Sequence, residues 1–122
     1  MPDGTALRFR DLVAEALDLI PEELGRRMEN VAVTIATWPT AAQLKGVRGT
    51  LLGLYEGIAL TQRSPLWYGG VMPDKITIFE GPIRGLARDD DHLIQIVRTT
   101  VIHEVAHHFG ISDARLAELG WA

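Results

Sequence analysis

The stretch DDDHLIQIVRTTVIHEVAHHFGISD, residues 89–113, decides the fold of this 122-residue chain. Three carboxylates precede an apolar run of helical period, an order that caps a helix and complements its positive N-terminal end. An acidic metal cluster at Asp89, Asp90 and Asp91 is the competing reading. The predicted helix runs from about Asp90 to Phe109, roughly 30 Å at 1.5 Å per residue. Its apolar residues occupy every side: Leu93 and Ile96 on one, Ile94, Val97, Val101 and Val105 on the next, Ile102, Ala106 and Phe109 on the third. A helix apolar all round is a buried one, and its histidines are expected near the core.

Three of the four histidines fall within HEVAHHFGISD, residues 103–113. His103 and His107 lie four apart, about 40° round a helix, so both imidazoles can converge on one ion. That is the H-E-x-x-H spacing of zinc hydrolases. Glu104 is rotated off the ligand axis, within reach of a water at the ion. Gly110 follows where the helix should stop, and a left-handed glycine there would turn the chain back and bring Asp113 toward the imidazoles. The expected set is one zinc ion held by His103, His107 and Asp113, with a fourth position open for water. Glu104 is the expected catalytic residue. Asp113 has a second reading, as N-cap of a last helix DARLAEL. His108, about 100° from His107, should point away from the ion and be packed or hydrogen-bonded. Thr100 shares the ligand face one turn earlier, and His92 reads as a surface residue.

Working outward, Phe9, Leu12, Val13, Ala16, Leu17 and Ile20 form the apolar stripe of an N-terminal helix ended by Pro21, which can open a second short helix. VAVTIA, residues 31–36, reads as a buried strand. A connection with one helical turn follows from Thr37 to Thr50. LLGLYEGIAL, residues 51–60, reads as a second strand, with Gly53 and Gly57 as bulge or turn points. In KITIF, residues 75–79, Ile76 and Ile78 alternate with Lys75 and Thr77, predicting a strand with one wet face, suited to an edge. Gly81 and Pro82 begin a short turn or helix. The pattern predicts an α+β fold in a single domain, residues 1–122.

The net charge is −4, the pI about 5.5, and no basic stripe is present, which argues against a nucleic-acid partner. The chain has no cysteine, so disulfides and thiolate ligands are excluded and a reducing compartment suits it. The charged N-terminus does not read as a secretory signal, and no apolar run is long enough to span a membrane. A cytoplasmic protein is expected.

His103, Glu104, His107, Gly110 and Asp113 together spell H-E-x-x-H-x-x-G-x-x-D, which resembles the zincin metallopeptidases with an aspartate third ligand. LLGLYEG (51–57), PDKITIFEGPI (73–83) and TVIHEVAHHFGISD (100–113) are similar to the small bacterial zincin-like metallopeptidase domains. The resemblance covers most of the chain from Leu51 onward and, more loosely, the first helix. It implies a small mixed β-sheet packed against a long active-site helix and the N-terminal helix, zinc on His103, His107 and Asp113, and Glu104 as general base. Nine residues follow Asp113 and none is Met, so the methionine turn and lower cleft wall of longer metzincins are expected to be absent. A peptide or protein substrate could pair with KITIF, with Tyr55 and Tyr68 as oxyanion donors or packing residues. A partner or a second copy of the chain would complete the cleft. The leading function is zinc-dependent peptide hydrolysis, weighed against a zinc-binding protein-interaction module with little or no peptidase activity; a nuclease does not fit the acidic charge. Trp38, Trp67 and Trp121 mark a contact surface or belong to the core.

Overall fold

The computed structural model describes residues 8–28, 31–57 and 74–118, the side chains of Glu23, Arg27 and Asp113 excepted. In order these form α1 (Phe9–Asp18), α2 (Glu22–Gly25), a 3₁₀ turn (Arg26–Met28), β1 (Val31–Ala36), α3 (Ala41–Leu44), β2 (Gly53–Glu56), β3 (Asp74–Phe79), α4 (Glu80–Leu86), α5 (Asp90–Phe109) and α6 (Asp113–Glu118). The fold is α+β: a small mixed sheet packed against α5, with α1 against the same helix.

Helix α5 has the limits its sequence predicts, because both ends carry local signals. Asp89 is extended; its carboxylate accepts from the His92 N–H at 2.8 Å and its carbonyl from the Leu93 N–H at 2.9 Å. His92 is more than a surface residue, since its Nδ1 accepts from the Arg88 N–H at 3.1 Å and closes the cap from the other side. Asp90 and Asp91 are exposed in the first turn. Among the described residues no group of three His, Cys, Asp or Glu side chains is placed to hold a metal, so the acidic triplet is a cap.

The core joins Leu93, Val97, Val101, Val105 and Phe109 of α5 to Phe9, Leu12, Val13 and Ala16 of α1, Ile76 and Ile78 of β3, and Ile83 of α4. Each such side chain stabilises the fold by about 1.5–3 kcal/mol through burial. The prediction that α5 is buried all round is corrected: Gln95, Arg98, Thr99 and His107 are exposed, so one side of the helix stays open. The polar residues on that side outweigh the half-buried Ile94 and Ile102 between them.

The sheet order is β1-β3-β2, with β1 parallel and β2 antiparallel to β3. The prediction of KITIF as an edge strand with a wet face is therefore overturned. Strand β3 is central, and only Lys75 in it is exposed, opposite Glu56 of β2. Thr77, the polar member of the alternation, is buried, its hydroxyl 3.4 Å from that of Thr34 in β1. The edges are β2 and β1; the reading of VAVTIA as a buried strand is corrected, since every residue of β1 is half-buried or exposed. Strand β2 is shorter than the predicted 51–60, and residues 58–60 lie outside the described residues. The one-turn helix α3 is held by a capping box in which Thr40 and Gln43 exchange hydrogen bonds. Trp38 is 65% exposed and lies over Gly81, while Trp67 and Trp121 lie outside the described residues. No helix among the described residues is long and apolar enough to cross a membrane.

If Asp89 is a cap, Asp89→Ala lowers folding stability by about 1 kcal/mol, while Asp90→Ala and Asp91→Ala each change it by less than about 0.5 kcal/mol. Urea denaturation of the three variants checks this; equal losses at all three positions would contradict the cap.

Candidate metal centre

The last two turns of α5 carry two pairs of side chains on adjacent faces. His103 and His107 form one pair, half-buried and exposed respectively; Glu104 and His108 form the other and are both buried. The His103 and His107 rings are nearly parallel, 15° between planes, with centroids 6.4 Å apart. Two imidazoles bound to one zinc at ordinary Zn–N distances and a tetrahedral angle have centroids about 5 Å apart. The pair must therefore close by about 1 Å to share an ion. His107 can make that movement, because its side chain is 48% exposed and among the described residues its Nδ1 is engaged by Glu104, at 3.2 Å. Two imidazole donors one helical turn apart, with an acidic group beside them, fit zinc in chemistry.

Beyond His107 the helix ends as its sequence predicts. Gly110 takes φ 70°, ψ 25°, a left-handed conformation that side chains rarely adopt. The Ile111 N–H donates to the Ala106 carbonyl at 2.9 Å and the Gly110 N–H to that of His107 at 3.1 Å, which together make a Schellman closure. Ile111 packs on the core, and the chain turns into α6. The cap of α6 is Ser112: its Oγ accepts from the Arg115 N–H at 3.1 Å and its carbonyl from the Leu116 N–H at 2.9 Å. Asp113 is the first residue of α6, so the reading of Asp113 as N-cap gives way to its neighbour. Its side chain lies outside the description, and a third ligand is not among the described groups.

Glu104 owes its position to β2. At Gly53 the helix and strand approach so closely that a Cβ would meet Thr100 Cγ2 at 2.8 Å and Glu104 Cγ at 3.1 Å. Thr100 contributes that methyl, and its hydroxyl donates to the Ile96 carbonyl at 2.8 Å. The Glu104 carboxylate accepts from the backbone N–H of Tyr55 and lies against His107. Its pKa is raised, because burial penalises the charged form more than His107, the Tyr55 amide and His103 favour it.

His108 is packed, as expected, and its partners lie on strands that sequence reasoning did not connect to it. Its Nδ1 is 2.8 Å from Asp74 Oδ2, a close approach that is not aligned as a hydrogen bond, and its ring meets those of Tyr55 and Phe109 edge-on. The Tyr55 hydroxyl donates to the same Asp74 oxygen at 2.9 Å. This corrects Tyr55 as an oxyanion donor, since its phenol is turned to Asp74. Tyr68 lies outside the described residues. The signal available in the sequence was His108 itself, a histidine one turn after Glu104 on the inner face, whose ring nitrogens require partners.

A family model described as zincin-like metallopeptidase matches residues 28–121. Among solved structures the chain is similar to a conserved hypothetical protein from Thermo thermophilus, at 23% identity and a TM-score of 0.58, over 84% of this chain and 91% of that one. At that identity the likeness speaks for the fold. No curated protein matches the chain.

Since burial favours the neutral Glu104 carboxyl, the folded metal-free protein binds that proton more tightly than the unfolded chain. Stability is then lost as pH rises from the ordinary glutamate pKa through the raised one, and is constant above it. In chelator, the melting temperature of Glu104→Gln should match wild type below that window and exceed it increasingly across the window. Parallel pH profiles for the two proteins would remove burial as the cause.

Proposed function

The chain belongs to the zincin-like metallopeptidase family, and we propose that it hydrolyses peptide bonds with one zinc ion held by His103, His107 and Asp113. Glu104 is the general base. The observation that supports this most is the placement of Glu104, a buried carboxyl between a pair of imidazoles on one side and the backbone of β2 on the other. A structural zinc site has no use for a base in that position, and a fourth protein ligand usually closes it.

A bound zinc ion supplies Lewis-acid activation of water and carbonyl groups near neutral pH. The chain's own residues do the rest. Glu104 accepts the proton of the attacking water and delivers it to the leaving amine, and burial brings its proton affinity closer to that of a base working near neutrality. For this it must release His107, which with His103 and Asp113 would hold the ion.

An extended peptide is the substrate that the open edge of β2 fits. The Phe79 N–H donates to the Leu52 carbonyl at 2.9 Å, so Leu52 and Phe79 form a hydrogen-bonded pair. Such pairs alternate along an antiparallel ladder, which turns the backbone of Gly53 and Tyr55 away from β3, with the Tyr55 N–H on that side taken by Glu104. No strand covers that side of β2 among the described residues. A peptide adding there runs beside Glu104. We assign the protein to the cytoplasm on its lack of cysteine. We read residues 1–122 as one domain whose cleft a partner or a second copy completes.

Glu104→Ala should keep zinc bound and lower the cleavage of a peptide library by about 10²–10⁴-fold. His103→Ala, His107→Ala and Asp113→Ala should each lose the metal, measured by elemental analysis of the purified proteins. Wild-type cleavage by Glu104→Ala would remove the base, and full zinc in Asp113→Ala would remove the third ligand. Zinc bound to a wild type that cleaves nothing would make the protein a zinc-dependent binding module.

A further inference from the structure

Asp74 is 3% exposed, and a carboxylate is rarely buried unless its neighbours engage it. Its neighbours come from three places in the chain. The Tyr55 hydroxyl of β2 donates to Oδ2 at 2.9 Å, His108 Nδ1 of α5 lies 2.8 Å from the same oxygen, and the backbone of Gly57 closes over Oδ1 so tightly that a Cβ there would collide with it. The Tyr55 ring packs edge-on against the His108 ring, centroids 5.7 Å apart. Two members of this cluster border the reacting groups of the proposed mechanism. Tyr55 supplies the backbone N–H that holds the Glu104 carboxylate, and His108 follows His107 and shares a helix face with Glu104.

We propose that Asp74 is a positioning residue for Glu104: its buried carboxylate ties Tyr55 of β2 to His108 of α5, and so fixes the Tyr55 amide where it receives the Glu104 side chain. The inference rests on the reading of Glu104 as general base. Two points hold Tyr55 to α5. Its amide reaches Glu104, and its phenol reaches His108 through Asp74, one helical turn further on. With both in place β2 can neither slide along α5 nor rotate about its own axis, and the carboxylate keeps one direction. Without the phenol contact β2 keeps its pairing to β3 and its packing on α5 at Gly53, but Tyr55 loses the anchor at its own position and its amide loses its aim.

Tyr55→Phe tests this with least disturbance, since the ring stays against His108 and only the hydroxyl goes; Asp74→Asn is the second variant. Amide hydrogen exchange in the metal-free proteins reads the link directly, and Glu104→Ala shows the protection that position 55 owes to the carboxylate. Both cluster variants should lower protection at position 55 by about tenfold while leaving Val97 and Val101 of the core unchanged. In the zinc-loaded proteins kcat should fall by about tenfold, with KM and zinc affinity within about twofold of wild type. Unchanged protection at position 55, or a loss spread evenly over α5 and β3, would overturn the proposal. The exchange result stands whether or not the wild type cleaves peptides. A wild type without zinc or hydrolysis therefore refutes the peptidase reading alone, and unchanged exchange with an active wild type refutes the positioning role alone.

Discussion

Everything around the candidate centre depends on a contact made where a side chain is missing. At Gly53 the backbone of β2 lies directly on α5, against the methyl of Thr100 and the stem of Glu104. Any larger residue would push strand and helix apart, because packed interiors have no slack to absorb an added carbon. The close approach lets the amide of Tyr55 reach the Glu104 carboxylate, and it puts an open strand edge beside the imidazole pair. The orientation of Glu104 and the burial that raises its pKa both depend on this close approach.

Charge is managed differently on the two faces of the same helical turns. His103 and His107 lie toward solvent, where a donor can rotate to accept an ion. Glu104 and His108 face inward, where strand residues fix them. The outer pair is about 1 Å wider than a shared zinc requires, and it is the movable pair. With His103 and His107 as the proposed ligands and Glu104 as the proposed base, this is a workable division, since a metal would draw its ligands together by itself whereas a proton acceptor must be aimed beforehand.

The sequence was most readable where its signals were local. Asp89 and Gly110 mark the ends of α5 by cap chemistry that acts within a few residues, and the four-residue spacing of His103 and His107 needs only helical geometry. The Schellman closure likewise needs only Gly110 and its neighbours. Long-range pairing was harder to read. Thr77 suggested a wet face for β3, but the hydroxyl of Thr34, far away in the chain, makes its burial tolerable. Nothing local in the sequence singles out Asp74, and only the fold brings Tyr55 and His108 to it. Ser112 took the capping role weighed for Asp113, a one-residue shift that local propensity does not resolve.

The Schellman turn at Gly110 has a consequence for the order in which the centre matures. The proposed donors lie within one contiguous segment closed by a tight local reversal, so bringing them together requires little loop entropy. The partners of the base come from distant strands and join only when the whole sheet is assembled. On the proposed ligand set, a nascent chain would bring His103, His107 and Asp113 within reach of an ion before Glu104 has anything to hold it straight, and the strands would complete the centre last.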